Sequence, residues 1–371
     1  RTDPHATIQE MVAMKDRLES TEPILLYDLD LPSLGELLES WSEPSYRADQ
    51  IWEWLYVHMV GSFDEMTNLP KSLRQQLREQ ATLEAVEAVQ ISHTPERQTR
   101  KDLLRLRDGE TIEAVLMRYK RRRTACLSTQ VGCKMGCPFC ATGQMGFRRD
   151  LSSGEIVAQA LHFARDLEAE GNPLTNVVLM GMGEPLANYK NSIAAIRRLN
   201  HPEGFRLGQR HITLSTVGLV PMIGRLAQED LQITLAISLH AATDALRNQL
   251  VPINRRYGLD ALFQACAAYF HHTGRRISFE WALIDGLNDT PEQAHALADR
   301  VHESLPDVLV HVNLIPLNPS AGYEKRGTES EAMRAFTAIL EARSVPYTVR
   351  VSRGAAIQAG CGQLRQRADS R

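Results

Sequence analysis

The sequence predicts an α/β fold, a partial (β/α)6 barrel with a small N-terminal helical domain and a β-hairpin extension. Three observations predict it. From residue 124 onward, short apolar strands alternate with amphipathic helical stretches. Alternation of that kind implies parallel strands joined by right-handed crossovers. About six such units are too few to close an eight-stranded barrel. Ahead of them the apolar period is helical up to about residue 85 and shifts toward two between 86 and 123.

Taken in order, Leu34, Leu37, Leu38 and Trp41 recur at helical spacing, as do Ile51, Trp54, Leu55 and Met59, then Leu73 and Leu77. Trp52, Trp54 and Tyr56 read as core packing rather than a platform for stacking bases. Lys101–Arg107 and Thr111–Arg118 flank Asp108-Gly109, a strong hairpin signal. Glu113 lies on the second of these strands, where a lone carboxylate is expected to face water. Parallel strands are expected at Ala125–Ser128, Asn176–Met180, His211–Ser215, Gln232–Ser238, Ile277–Ala282, Val308–Leu314 and Tyr347–Val351. Ser152 and Glu155 form a capping box ahead of a helix through Ile156, Ala160, Phe163 and Leu167. Later helices are expected over Tyr189–Leu199, Val220–Gln228, Leu259–His272, Pro291–Glu303 and Ser330–Arg343.

The chemistry concentrates in Cys133-Lys134-Met135-Gly136-Cys137-Pro138-Phe139-Cys140. Three thiols this close can hold three corners of a cubane iron–sulfur cluster. The fourth iron then lacks a protein ligand, and catalytic metals keep such an open position. A structural zinc knot draws four ligands from two separated pairs, and no second CxxC pair exists here. A disulfide framework suits secreted chains, and no signal peptide is evident. The cysteine loop follows the first parallel strand, which places it at the C-terminal mouth where such folds carry their sites. Met180-Gly181-Met182-Gly183-Glu184-Pro185, Ser215-Thr216, Ser238-Leu239-His240 and Asn313 to Asn318 end other strands at the same mouth. Glycines there let backbone close around a ligand, and Glu184 can accept from an ammonium group. Cys266 reads as a small core residue. Cys126 and Cys361 are spare thiols suited to a transient disulfide or a nucleophile.

Composition sets outer limits. The 371 residues suffice for two or three domains, and the 43% hydrophobic share without a long apolar run indicates a soluble chain with no membrane partner. The net charge of −3 shows no overall basic excess, although Arg118 and Lys120 to Arg123 form a local cluster dense enough to suggest phosphate contacts. Smaller basic pairs at Arg255-Arg256, Arg275-Arg276, and Arg350 with Arg353 read as solvated surface. Six cysteines without secretory cues fit a reducing cytoplasm. The chain opens at Arg1 rather than Met, so its natural start is expected to be missing or processed.

The trio's spacing, with Phe139 before the third cysteine, resembles the signature of the radical S-adenosylmethionine (radical-SAM) superfamily. Further motifs narrow the resemblance: Tyr46 to Gln50, Phe63 to Thr67, Ser128 to Cys133, Gly181 to Pro185, Leu214 to Gly218, Ser238 to Ala241, Asn313 to Pro316, and Cys361 to Leu364. Together they are similar to the RlmN/Cfr family of radical-SAM RNA methyltransferases. The resemblance implies methylation of carbon 2 of an adenine in 23S rRNA and in tRNA next to the anticodon. It implies a [4Fe-4S] cluster on Cys133, Cys137 and Cys140, two S-adenosylmethionine (SAM) molecules per turnover, and an electron donor such as flavodoxin. Cys361 would be the S-methylcysteine intermediate, Cys126 the resolving thiol, and Glu113 the proton acceptor. A radical formed from the second SAM would abstract hydrogen from the methyl group. Gly183, Glu184, Ser215, Ser238, Leu239, His240 and Asn318 would contact SAM. The implied plan is an RNA-binding helical domain over 1–85, a hairpin linker over 86–123, a radical-SAM barrel over 124–352, and a C-terminal segment over 353–371.

Two departures stand out. Where the family commonly has Arg-Gly-Asp-Asp-Ile-Asp-Ala-Ala-Cys, this chain has Arg353-Gly354-Ala355-Ala356-Ile357-Gln358-Ala359-Gly360-Cys361, and Leu317 replaces the family's tryptophan. A Cfr-type reaction at carbon 8 is the nearest alternative, and a non-catalytic, metal-stabilised RNA-binding module is the alternative from another class.

Overall fold

Asp30 starts the first helix by accepting the Ser33 N–H at 2.9 Å, ahead of a stripe that buries Leu34, Leu37 and Leu38. The computed structural model describes residues 22–320, 322–350 and 354–365. A short strand β1 (Ile24–Leu25) precedes α1 (Leu31–Ser40). Then come α2 (Tyr46–Tyr56) and α3 (Lys71–Gln80), and β2 (Ala81–Thr82) pairs in parallel with β1. Trp52 is buried in the core, as the sequence predicts, whereas Trp54 is only partly covered and donates to Asn68 Oδ1 at 2.6 Å.

Next, β3 (Val86–His93), β4 (Thr99–Leu106) and β5 (Thr111–Arg118) form an antiparallel meander. The expected hairpin turns at Asp108-Gly109, with Gly109 at φ +86. The structure adds a third strand, β3, and joins all three to the main sheet, because β5 pairs antiparallel with β6 (Arg123–Cys126). Around the cysteine loop, β7 (Gln130–Gly132) and β8 (Phe147–Asp150) pair as an antiparallel ribbon bracketing the one-turn helix α4 (Ala141–Gln144). This ribbon was not legible in the sequence, because its strands are too short to show a period.

The alternating part follows as α5 (Ser153–Ala169), β9 (Asn176–Leu179), α6 (Tyr189–Asn200), β10 (Ile212–Thr216), α7 (Val220–Ala227) and β11 (Thr234–Ser238). It continues through α8 (Asp244–Leu250), α9 (Leu259–Thr273), β12 (Ile277–Leu283), α10 (Pro291–Ser304), β13 (Val310–Pro316), α11 (Ser330–Ala342) and β14 (Tyr347–Val349). The capping box at Ser152 and Glu155 is formed. The sheet order is β14-β13-β12-β11-β10-β9-β6-β5-β4-β3, and every neighbouring pair from β6 to β14 is parallel. This open, sequentially ordered parallel sheet is the partial barrel. Val351 and Arg353, expected as a strand end and a basic residue, lie outside the described residues.

The N-terminal helices are held against the barrel by polar contacts. Asp28 Oδ1 accepts the Gly154 N–H at 2.8 Å at the start of α5. Arg165 donates to Met59 O at 2.6 Å and Tyr27 Oη at 2.7 Å, and Arg198 donates to Leu29 O at 3.0 Å.

The two faces of the barrel sheet differ, and this positions the site. On β12, Phe279 stacks on Phe263 of α9 at 5.2 Å and Trp281 packs on Phe336 of α11 at 5.8 Å, so the odd-numbered residues face the helices. Burying each such ring contributes roughly 1.5–3 kcal/mol. Alternation turns Ser278, Glu280 and Ala282 to the opposite, inner face. Across the sheet, Val115 pairs with both Lys101 and Cys126, and Cys126 pairs with Val178. Paired residues share a face, so Lys101, Cys126 and, two residues along from Val115, Glu113 all lie on one side of the sheet.

Candidate active site

The cysteine loop leaves the C-terminal end of β6, as the sequence predicts, and opens into a cavity at the mouth. Cys133, Cys137, Cys140, Gly183, Glu184, Ser215, Ser238, His240, Asn318 and Cys361 all line it. These residues come from loops far apart in sequence, brought together only by the parallel strand order.

The trio is free of disulfides, as are Cys126, Cys266 and Cys361. Burial pushes Cys133 up to about 12 and Cys137 well above the usual thiol range, and the neighbouring thiols of the trio push both the same way. Such thiols stay protonated until a metal takes them, because coordination deprotonates a thiol outright. Three thiols from one short loop line the cavity, and three corners of a cubane cluster each need one such sulfur. The donor set fits a cluster.

Beside the trio, Glu184 is buried and accepts the Val217 N–H at 2.9 Å and the Leu186 N–H at 3.0 Å. Burial pushes its carboxyl up to about 7 against these hydrogen bonds, which lower it. Gly183 sits at φ +103, and a Cβ there would lie 2.6 Å from Gln130 Cβ and 2.7 Å from the Gln130 N, so only glycine fits. Ser215 Oγ and Ser238 Oγ stand 3.4 Å apart on adjacent strand ends. His240 adopts φ +60, a conformation uncommon outside glycine. Its Nδ1 accepts the Ala282 N–H at 3.0 Å, and its ring meets Phe139 edge-on at 5.0 Å. Burial, and then Arg247, pull it down to about 3, so the ring is neutral with its proton on Nε2. Leu239 differs from its neighbours. Its side chain is fully buried in the core and it is not among the residues lining the cavity; its N–H donates to Glu280 O at 3.0 Å and its carbonyl accepts from Arg247 Nε at 3.0 Å.

Cys361 reaches the mouth on a C-terminal segment docked at several points. Asn318 Nδ2 donates to Cys361 O at 3.2 Å, the Ala141 N–H to Gly362 O at 2.8 Å, and Gln363 Nε2 to Pro319 O at 2.8 Å. Cys361 has solvent-accessible surface, and its place on the cavity wall shows where that surface points. Burial raises its thiol, then the Glu280 carboxylate. At Cys126 burial again dominates, and the Cys361 thiol raises it further. A Cβ at Gly360 would lie 2.6 Å from Asn318 Nδ2, and the departure at this position therefore makes room for the Asn318 amide.

Glu113 does not face water as a lone strand carboxylate would. It is 2% exposed, forms an ion pair with Lys101 Nζ at 2.8 Å and accepts the Arg365 N–H at 2.9 Å. Lys101 also donates to Gln358 O at 3.2 Å, so one lysine ties the carboxylate to the segment that carries Cys361. Sequence reasoning missed Lys101, Glu280 and Arg247. The first two were visible only as positions on a strand face, once the register was known. Asn313 donates to Glu280 Oε1 at 2.7 Å and fixes that carboxylate on the inner face. The basic cluster at 118–123 is not at the mouth. It occupies the β5–β6 turn at the start of β6, the opposite end of the sheet, where Arg118 pairs with Glu170 and Arg122 stacks on Tyr119. Cys266 is fully buried in the core, as expected.

Among the described residues no helix is long and apolar enough to cross a membrane. Residues 24–83 match the family described as ribosomal RNA large subunit methyltransferase N-terminal domain, and residues 127–299 match the radical SAM superfamily. Over 346 residues the chain is 51% identical to dual-specificity RNA methyltransferase RlmN 1 of Myxococcus xanthus, covering 93% of this chain and 95% of that protein. It is 50% identical to a probable dual-specificity RNA methyltransferase RlmN of Chloroflexus aurantiacus, covering 91% and 92%. The crystal structure of a radical SAM methyltransferase from Sphaerobacter thermophilus superposes with a TM-score of 0.89 at 48% identity, covering 92% of this chain and 99% of that one. With a trio of thiols on a cavity at the mouth of a partial barrel, and with relatives this similar along nearly its whole length, the chain belongs to the RlmN family of radical SAM methyltransferases.

Proposed function

We propose that this protein methylates carbon 2 of a specific adenine in 23S rRNA and of the adenine next to the anticodon in tRNA, using Cys361 as a methyl carrier. Relatives named as dual-specificity RNA methyltransferases support the substrate class. When bound at Cys133, Cys137 and Cys140, a [4Fe-4S] cluster would supply, with SAM and an electron donor such as flavodoxin, the radical activation that an electron-poor aromatic carbon requires. Gly183, Glu184, Ser215, Ser238, His240 and Asn318 line the space for SAM, with Leu239 contributing through its backbone. Glu184 would take the amino group of SAM, because its ionised carboxylate is buried and aimed at the cavity.

The chain's own residues divide the remaining work. The Cys361 thiolate, its proton lost to solvent or a nearby base, attacks the methyl carbon of one SAM, and S-adenosylhomocysteine leaves. After the carrier carbon has joined the base, Glu113 accepts the proton from the adduct. The Cys126 thiolate then attacks the Cys361 sulfur; the RNA-bound carbon leaves with the electron pair of the broken C–S bond and takes up a proton to become the methyl group, and the Cys126–Cys361 disulfide left behind is one that a reductant must reopen. The target adenine must leave its stack to enter, as in other base-modifying enzymes. An enzyme of this kind would work in the cytoplasm, with residues 1–85 as the RNA-binding accessory domain and 353–371 as the carrier segment.

The observation that supports this reading most is the docking of Cys361 on the wall that holds the trio, with Glu113 tied to its segment. The test is to incubate the reconstituted enzyme with RNA and SAM, digest the RNA and identify the methylated adenine, with mass spectrometry of Cys361 in parallel. The expected products are 2-methyladenosine and an S-methyl group on Cys361. Finding 8-methyladenosine replaces the reading with the Cfr-type reaction, and a Cys361 that is never methylated overturns the carrier mechanism. A preparation with zinc and no sulfide would favour a non-catalytic RNA-binding module.

A further inference from the structure

Arg247 on α8 is 0% exposed, and its partners are unusual for a buried guanidinium. Nε donates to Leu239 O at 3.0 Å. One terminal nitrogen donates to Val217 O at 2.6 Å and Ser238 O at 3.2 Å, and the other to Asn254 Oδ1 at 2.8 Å. Among the described residues no carboxylate pairs with it directly. The link to one runs through Asn254, whose Nδ2 donates to Asp244 Oδ1 at 2.8 Å. A charge buried without a counter-ion is expensive, so its presence needs a compensating group.

Its position identifies that group. The carbonyls it gathers end β10 and β11, where Ser215, Ser238 and His240 face the cavity. Along α8, Leu246 and Leu250 join the small apolar cluster that also holds Cys137, Phe139 and Leu317. The helix therefore backs onto the cysteine loop. Arg247 donates to the carbonyl of Val217, which packs against that same cluster and lines the cavity with Cys137.

We propose that Arg247 is a positioning residue for the reductive step. Its fork fixes the two strand ends that grip SAM, and its buried charge, on the helix that packs against the cysteine loop, eases the entry of an electron at the trio. The inference rests on the trio as cluster ligands and not on which RNA carbon is methylated. Three thiolates make the loaded site net negative, and an added electron makes it more so. A cation in such low-dielectric surroundings favours that charge with little screening.

The test compares reconstituted wild type with Arg247→Gln, which keeps amide donors without charge, and Arg247→Lys, which keeps charge without the fork. The readouts are the reduction midpoint, followed by EPR-monitored titration, and equilibrium binding of SAM. The glutamine variant should shift the reduction equilibrium about tenfold toward the oxidised form, or about 59 mV for one electron, and bind SAM more weakly. The lysine variant should keep its midpoint and lose about tenfold in SAM affinity, the scale of one charge-assisted hydrogen bond. A wild-type midpoint in the glutamine variant overturns the proposal, as does wild-type SAM affinity in the lysine variant. If the glutamine variant does not fold, the lysine variant decides alone. Wild-type protein that takes up no iron and sulfide would refute the cluster assignment instead.

Discussion

Replacing His240 with asparagine should remove a defined part of the protein's acid sensitivity. In the fold, burial holds His240 down to about 3 against an ordinary value of 6.5, with its Nδ1 committed to the Ala282 N–H. The unfolded chain binds a proton there near pH 6.5, but the folded chain does not until about pH 3. This stabilisation is therefore complete above pH 6.5 and is lost as pH falls toward 3. The slope is about 1.4 kcal/mol per pH unit. Between about pH 7.5 and about pH 5, roughly 1.5 units lie inside the window, for a loss of about 2 kcal/mol. Asparagine does not titrate, tolerates the left-handed backbone and offers an oxygen to the Ala282 N–H. Urea unfolding of cluster-free wild type and His240→Asn at the two pH values isolates the effect, because other titrating groups cancel in the difference. The stability gap should move by about 2 kcal/mol in the variant's favour at the lower pH. A gap constant to within about 0.5 kcal/mol refutes the buried neutral histidine.

Two further outcomes follow from the same cavity. Because burial sets Glu184 near 7, SAM affinity should weaken as pH falls through that value, by up to about tenfold per unit. Calorimetric titrations across that range check it, and Glu184→Gln should flatten the profile. Lys101→Met leaves Glu113 buried without its cation and frees the Gln358 carbonyl, at a cost of about 3–5 kcal/mol. Most of that loss should return in the Lys101→Met/Glu113→Gln double variant. A cost below about 1 kcal/mol for the single change would show that the pair is not held together in solution.

The barrel was legible because its signal is local. The longer helices from Ser153 to Ala342 carry their own apolar period, those from Ser153 and Pro291 also a side-chain cap, and each strand is an apolar run bounded by turns; the short α8 was not read from the sequence. The cysteine trio was legible for the same reason, since three ligands fall within eight residues. Glu113 was not, because a carboxylate between Ile112 and Ala114 looks alike whether its face is wet or buried. Only the pairing of β5 with β4 places Lys101 within reach of it. Arg247 was hidden for a related reason, because its partners are backbone carbonyls of two strands that approach it only in the fold. The basic cluster at 118–123 was legible as charge but not in its place. A run of charge says nothing about which end of a sheet it caps, and strand direction puts it opposite the mouth.

The altered residues before Cys361 bear on the same distinction between sequence and chain path. The segment is held almost wholly through its backbone. Lys101 takes Gln358 O, Asn318 takes Cys361 O, Ala141 takes Gly362 O, Thr142 Oγ1 takes Leu364 O, and Glu113 takes the Arg365 N–H. Backbone atoms are the same whatever side chain they carry, so Ala355, Ala356 and Gln358 can stand where acids are common without undoing the docking. Gly360 is the exception, because its missing Cβ leaves the space filled by Asn318. Each contact of the segment is one hydrogen bond, worth roughly 0.5–1.5 kcal/mol, or up to about 3 where the partner is charged, so the docking rests on their sum and no change of side chain at 355, 356 or 358 removes it.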